Sequence, residues 1–305
     1  EGKKYIDNLL NELQGGRVRK RDTAERILDT ALSRYISSVF GFNPSIVLKQ
    51  AMSFPLAGTY LGWENIPNIA KALKTPDALI NTYTSELAYR LMGYATPETA
   101  QLKNNPSKLS ENKALKFTFG GGAITAMDGW TVKSIWGWAE NMVSREHPEL
   151  ELGTQEQIDA GESPYYKEVA KAFEEAVSGS QPMYDVMHRA GIMRSDSKIT
   201  RALTLFKTVP IQQYNMLRQT VAEAQRAKQD FAAGKVSEGE FRQARGKAGR
   251  AVVGVILAGL GIEAINFLNA LLKNKAKRYR DDEDELTWKS AGAQAAMNFV
   301  QSNAG

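Results

Sequence analysis

The residue types that most enzymes use for catalysis are scarce in this chain. Its 305 residues include no Cys and only two His, of which His147 stands directly before Pro148. The composition therefore excludes disulfides, thiolate metal sites and Cys nucleophiles, and it argues against a site built on several histidines. We expect no metal site and no cofactor.

The remaining patterns that could support chemistry are weak. The glycine cluster Gly120–Gly122 is followed neither by the Gly-Lys-Ser/Thr of a P-loop nor by the spacing of a dinucleotide fingerprint, so it indicates a connector before a helix. Carboxylate pairs such as Glu174-Glu175 stand on polar helical faces and are interpreted as solvated charge. A transferase that uses the glycine cluster with Asp128 is kept as an alternative, but we predict no catalytic residues and a non-enzymatic scaffold.

The basic residues fall into clusters, although the net charge is only +5. Such clusters can contact nucleic acid or anionic lipid, and solvated helix ends are the alternative interpretation. The predicted contacts are Arg17, Arg19, Lys20 and Arg21; Arg242, Arg245, Lys247 and Arg250; and Lys273, Lys275, Lys277, Arg278 and Arg280.

The elements that would position these residues are predicted to be helices. Capping residues recur directly before Pro, at Asn43, Thr75, Thr96, Asn105 and Ser163, and such pairs are typical of helix starts. Thr154 with Gln157 and Ser237 with Glu240 have capping-box spacing. The predicted helices are 3–14, 22–40, 44–60, 64–73, 76–93, 107–118, 122–145, 164–178, 198–207, 210–233, 238–274 and 284–302.

We predict an all-α fold with long helices in two loosely separated helical halves. The acidic, turn-rich stretch 146–163 is the candidate hinge between them. This places an N-terminal half at residues 1–147 and a C-terminal half, with an apolar helix, at residues 148–305. The chain begins at Glu1 rather than Met, and we expect it to be a piece of a longer protein.

The apolar helix at residues 251–272 is the most unusual segment. Its first twelve residues carry no polar side chain, after which Glu263, Asn266 and Asn269 interrupt the pattern. Gly254 and Ala258 have the small-xxx-small spacing of close helix packing. The length suits a bilayer span, whereas the polar residues favour burial in protein. Both interpretations stay open: a buried core helix, or one that enters a membrane conditionally.

Three short stretches form a pattern over about residues 35–290. They are 42–50 with the following Ser53-Phe54-Pro55; 179–183, which reads Gly-Ser-Gln-Pro-Met; and Arg194-Ser195 with 201–206 and 213–215. In this order and rough spacing they resemble a helical region near the C-terminus of large tailed-phage polyvalent and internal virion proteins. The apolar helix and the Lys/Arg-rich stretch after it also fit that family.

The resemblance implies a virion ejection protein that is packaged in the capsid and ejected with the genome. Such a domain would help to form a DNA-translocation conduit across the host envelope. Its expected partners are further copies of itself, other ejection or portal and tail proteins, phage DNA and the host membrane. It would be located in the virion interior and, after ejection, in the host cell envelope. The alternative is a nucleic-acid-binding accessory domain of a large phage polyprotein. No catalytic residues carry over from the resemblance.

Overall fold

A computed structural model of the chain describes Leu48 and residues 51–91, 123–181 and 208–278. Of these residues 81% are helical and none lies in a β-strand, which confirms the all-α prediction for the described part. The predicted helices 3–14, 22–40, 107–118, 198–207 and 284–302 lie outside the described residues. So do the predicted caps at Asn43, Thr96 and Asn105.

The described chain contains short helices first and long helices later. Two turns of 3-10 helix lie at Phe54–Ala57 and Trp63–Asn65. The α-helices are α1 Gly58–Leu61, α2 Ile69–Ala72, α3 Asp77–Tyr83, α4 Glu86–Leu91, α5 Ala123–Glu146, α6 Gln155–Asp159, α7 Pro164–Ser180, α8 Thr208–Ala232 and α9 Glu238–Arg278.

The continuous helix predicted at 44–60 is wrong in its described part. The chain turns after Ala51, and a 3-10 turn begins at Phe54 with Pro55 in its first turn. Proline has no N–H to donate, and its ring clashes with the carbonyl four residues earlier, so a helix that reaches Pro55 must restart there. Gly62, with φ of 74°, then ends α1.

Two further predicted helices are interrupted. The segment 64–73 contains a 3-10 turn, an extended stretch around Pro67 and only one turn of α-helix. The predicted helix 76–93 divides at the extended residue Thr84, whose hydroxyl accepts a hydrogen bond from the N–H of Glu86 at 3.3 Å and so begins α4. Pro76 itself occupies the N-cap of α3, so Thr75 does not cap that helix.

The predicted caps of the later helices are confirmed. Thr154 and Gln157 form the complete capping box of α6, and the Ser163 hydroxyl accepts from the N–H of Tyr166 at the start of α7. At α9 the Ser237 N–H donates to the Glu240 carboxylate at 2.8 Å, while the Glu240 N–H donates to the Ser237 hydroxyl. The Ser237 N–H and the Ser237 hydroxyl both donate to the Glu240 carboxylate, which holds the pKa of that carboxyl below its ordinary value because these bonds favour its charged form.

The main core lies between α5 and α7. Trp136, Trp138 and Phe173 are fully buried there, together with Leu61 and Ile80 from the shorter helices. The Trp138 indole donates to the carbonyl of Gly62 at 2.9 Å, so its one polar atom is satisfied. We refer to the described residues 51–91 and 123–181 as the body.

The stretch 146–163 is part of this body and is hydrogen-bonded to the rest of it. The Tyr83 hydroxyl donates to the carbonyl of Ile158 at 2.9 Å, and the Ser163 hydroxyl donates to the carbonyl of Leu152 at 2.6 Å. The helices before and after the stretch share one core. In the described residues the predicted boundary at 147/148 therefore runs through a core and not between loosely separated parts. For the rest of the two halves the division stays a prediction.

Helices α8 and α9 form a helical hairpin. Gly234, with φ of 69°, lies in the turn between them, and the rings of Phe231 and Phe241 stack beside it with centroids 5.5 Å apart. The hairpin packs on the body through a second, smaller apolar cluster of Leu56, Met216, Ala251 and Ala258. We refer to α8 and α9 together as the hairpin.

Candidate interaction surface

Mostly small residues form the face of α9 that packs on the body, with Ile265 as a large residue that is also buried. Ala251, Gly254 and Ala258 are buried, at the spacing of three and four residues that places side chains on one helical face. A Cβ atom on Gly254 would lie 3.2 Å from the carbonyl oxygen of Pro55, and one on Gly261 would overlap the sulfur of Met52. Because glycine has no side chain, Gly254 and Gly261 allow α9 to approach the chain around Pro55 and Met52 closely.

Large apolar residues form the opposite face. Val252, Val253, Ile256, Leu257, Leu260 and Leu268 are each 41–54% exposed, and Ala264 between them is also exposed. At about 100° per residue these seven positions fall within an arc of about 160°. We call these seven residues the outward face.

This distribution is the reverse of what a core helix requires. Full burial of a Val, Leu or Ile side chain stabilises a fold by about 1.5–3 kcal/mol, and helices of soluble proteins normally obtain this from their large residues. Within the described part of the chain, one helical stretch, Glu238–Leu268, is long and apolar enough to cross a bilayer. A core helix can pass that test too, but it would be mostly buried, whereas only 22% of the most apolar window here is buried.

Two of the three polar residues of the apolar segment, Glu263 and Asn266, lie near one edge of the outward face. Glu263 and Asn266 are half-buried, and the Asn266 amide donates to the Glu263 carboxylate at 3.5 Å. Asn269 follows one turn later in α9. The Glu263 carboxylate thus has a hydrogen-bonding partner on its own helix, which lowers the cost of placing it beside apolar side chains.

Lys247 joins the hairpin to the body. Its Nζ atom lies 3.4 Å from a carboxylate oxygen of Glu175 on α7 and 3.7 Å from one of Glu223 on α8. The same ammonium stands over the ring of Tyr60, 4.8 Å from its centroid. Burial, with the two carboxylates adding to it, raises the pKa of Tyr60 to about 12, so the phenol stays neutral under physiological conditions.

Arg250 also contacts the body, since its Nε donates to the carbonyl of Thr59 at 3.3 Å. The structure therefore places Lys247 and Arg250 in the contact between hairpin and body, although we predict them from sequence as contacts to nucleic acid or lipid. Their positive groups are directed at carboxylates and a carbonyl of this chain. Arg242 and Arg245, by contrast, are exposed, and Arg242 forms an ion pair with Glu238 one turn earlier.

The other predicted basic contacts are only partly described. Lys273, Lys275, Lys277 and Arg278 lie in the last turns of α9. The remaining ones, Arg17, Arg19, Lys20, Arg21 and Arg280, lie outside the described residues.

The structure describes only part of the alternative catalytic site. Asp128 is buried on α5 in the body, and the cluster Gly120–Gly122 lies outside the described residues. No group of three His, Asp or Glu suited to a metal ion occurs in the part of the chain that the structure describes. The absence of a catalytic site stays a prediction for the whole chain.

Sequence reasoning missed the contacts of Lys247 with Tyr60, Glu175 and Glu223, because no local pattern links these residues. Glu175, interpreted from sequence as solvated charge, is 63% exposed and also pairs with Lys247. It also missed the division of α9 into two apolar faces, although the alternation of Val-Val and Ile-Leu pairs with Gly and Ala is visible in the sequence. No protein-family model matches the chain, and neither a curated protein nor a solved structure is detectably similar to it.

Proposed function

We propose that this chain is a domain of a phage virion ejection protein that joins a membrane-associated assembly through the outward face of α9. The exposed row of large apolar side chains is the observation that carries the proposal. The resemblance of the motifs around residues 42–55, 179–183 and 194–215 to internal virion proteins supplies the biological setting. In that setting the domain travels with the genome and helps to form a conduit for DNA across the host envelope.

The fold suits a protein that must be stable in water and later meet lipid. The body has a complete core of its own, with Trp136, Trp138 and Phe173 fully buried. The outward face contributes little to that core, so a new environment can cover it without unfolding the body. Contiguous exposed apolar surface of this kind marks sites where proteins bind membranes or other proteins.

Membrane association is tested with purified protein and lipid vesicles. We expect the protein to float with the vesicles, to release an entrapped dextran and to form closed rings with a central lumen in electron micrographs. Leu260→Lys places a charge at the centre of the outward face and should abolish flotation. Leu152→Lys makes the same change at a residue of equal exposure on the body and should leave it intact. Absence of flotation at both neutral and acidic pH would refute the membrane association.

The second candidate is a nucleic-acid-binding accessory domain. The exposure of Arg242 and Arg245 at the start of α9 favours it. Binding through phosphate contacts weakens steeply as salt is raised, because it depends on the release of counterions. This function predicts that the protein retains DNA at low salt, that Arg242→Glu with Arg245→Glu removes the retention, and that Leu260→Lys has no effect on it. Equal retention by both variants would count against it.

A further inference from the structure

We propose that the outward face of α9 binds an anionic lipid bilayer with the helix lying in the plane of the surface, while its opposite face stays docked on the body. The inference rests on the membrane association proposed above and adds the orientation of the helix and the chemistry of the lipid. It distinguishes a surface-bound domain from one whose last described helix spans the bilayer.

The packing of α9 favours the in-plane orientation. A spanning helix would expose its whole circumference to lipid, so it would have to leave the contact of Gly254 with Pro55 and the cluster around Ala251 and Ala258. It would also have to separate Lys247 from Glu175 on the body. An in-plane helix keeps all these contacts, because only the exposed side faces the lipid.

The shape of the outward face also fits a helix that lies in the interface. Its seven residues extend from Val252 to Leu268, which is about 24 Å along the helix axis at 1.5 Å per residue. They occupy less than half of the circumference, and Glu263 and Asn266 stand near the edge of the face, where headgroups and water are within reach. Interfacial helices place one apolar face about 5–10 Å into the boundary between headgroups and acyl chains.

Basic residues at both ends of the outward face complement the negative charge of an anionic lipid surface. Arg245 precedes Val252 by two helical turns and Arg242 precedes Val253 by about three, so both arginines lie on the side of the outward face, and both are exposed. The carboxylate of Glu238 forms an ion pair with Arg242, so we assign the attraction at this end of the face to Arg245. At the other end the last turns of α9 carry Lys273, Lys275, Lys277 and Arg278. Lys and Arg beside an apolar face are the chemistry that attracts anionic headgroups.

The same charges disfavour a second copy of the chain as the occupant. In an antiparallel pair the arginine end of one α9 would meet the lysine-rich end of the other, and in a parallel pair each end would meet itself. Both arrangements place like charges opposite each other, which opposes association. An anionic surface satisfies both ends at once.

The orientation is tested by depth measurements with single-cysteine labels. Because the chain has no Cys, Val252→Cys, Leu260→Cys and Leu268→Cys each accept one fluorophore at one position. The vesicles are phosphatidylcholine alone or phosphatidylcholine with phosphatidylglycerol, and quenchers at known depths in the lipid report the depth of each label. We expect all three labels at the same shallow depth, and binding that is at least about fivefold tighter with phosphatidylglycerol, since Arg245 contributes about 1 kcal/mol near the headgroups.

Charge variants test the lipid chemistry separately. Arg245→Glu should weaken binding to the anionic vesicles several-fold, whereas Lys74→Glu, at an exposed position on the body, should not change it. Circular dichroism of each variant verifies that the helices are intact.

Each remaining outcome decides against the inference in a recognisable way. A label at Leu260 deeper than those at Val252 and Leu268 would mean a spanning helix; it would overturn the orientation and leave the proposed function standing. Equal binding with and without phosphatidylglycerol would overturn the lipid chemistry. Protection of the labels in a lipid-free dimer would assign the face to a second copy. Absence of binding to any vesicle would overturn both this inference and the proposed membrane association.

Discussion

At the scale of single residues, Lys247 joins the hairpin to the body by two contacts and joins α9 to α8 by a third. Its ammonium reaches the carboxylates of Glu175 and Glu223 and covers the ring of Tyr60. The Lys247 side chain is 24% exposed, so its ion pairs are less screened than those of a fully exposed lysine. Among the contacts described above, Lys247 is the one side chain of α9 that contacts both the body and α8.

Removing the charge of Lys247 should therefore loosen the hairpin. We expect Lys247→Gln to lower the free energy of unfolding by about 1 kcal/mol, because the ion pairs and the cation–π contact are lost. The measurement is the midpoint of urea unfolding. Lys171→Gln is the matched control, since Lys171 pairs with Glu168 at a side chain that is 76% exposed, and it should change the midpoint little. Equal shifts in the two variants would show that Lys247 has no special role.

In the proposed binding to anionic lipid, Glu263 is the residue of the apolar segment whose charge would oppose the contact. It stands near the edge of the outward face with Asn266 as its hydrogen-bonding partner. We expect Glu263→Gln to tighten binding to phosphatidylglycerol vesicles by about fivefold, which corresponds to about 1 kcal/mol for one charge near the surface. Glu174→Gln, at an exposed position on α7, is the control and should leave the affinity unchanged. Weaker binding of Glu263→Gln would contradict the placement of the face against lipid.

At the scale of elements, α9 has two different apolar faces. The face of Ala251, Gly254, Ala258 and Gly261 allows close approach to the chain around Pro55, and the outward face carries the bulk. A helix that packs through small residues gains close contact but buries little apolar area per residue. The large apolar residues of the outward face, on the opposite side of α9, stay exposed and available for contact with another surface.

Adding a side chain to the packing face should separate the hairpin from the body. Gly254→Val places its Cβ atom 3.2 Å from a backbone oxygen that cannot easily move, and we expect a loss of about 1–3 kcal/mol of stability. Gly249→Ala is the matched control on the same helix, because no atom lies within 4 Å of the added carbon. It should raise stability by about 0.5–1 kcal/mol through the better helix propensity of Ala. Thermal unfolding of both variants measures the difference, and a stabilised Gly254→Val protein would disprove the close approach.

At the scale of the whole molecule, a large core and a small one have separate roles. The body buries its aromatic residues around Trp136 and Trp138, whereas the hairpin adds a small cluster and exposes an apolar face. We therefore expect the body to keep its structure if another surface covers the outward face. The described residues thus consist of a body with a large core and a helical hairpin that packs on it through a small apolar cluster.

This division predicts that lipid binding leaves the body unchanged. The near-ultraviolet circular dichroism of the buried tryptophans, which depends on fixed ring packing such as that of Trp63 with Trp138 at 5.6 Å, should persist when the protein is bound to anionic vesicles. Loss of that signal on binding would mean that the body opens, and the docked hairpin would then be the wrong description of the bound state.

Features that depend on neighbours in the chain could be predicted from the sequence. The caps at Thr154, Ser163 and Ser237 use partners within three residues, and they are where the spacing places them. The breaks at Pro55 and Thr84 are also local, yet the predicted helices 44–60 and 76–93 run through them. The long helices α5, α7, α8 and α9 each begin within two residues of the predicted start.

The sequence by itself determined that the described chain is helical, where its long helices begin, and that one of them is almost free of polar side chains. These properties follow from backbone propensity and from hydrogen bonds within one turn. Only the tertiary structure decided which face of α9 is covered and that Lys247 and Arg250 contact the body. Those outcomes depend on residues 72 to 191 positions apart in the chain, and no local pattern specifies such contacts.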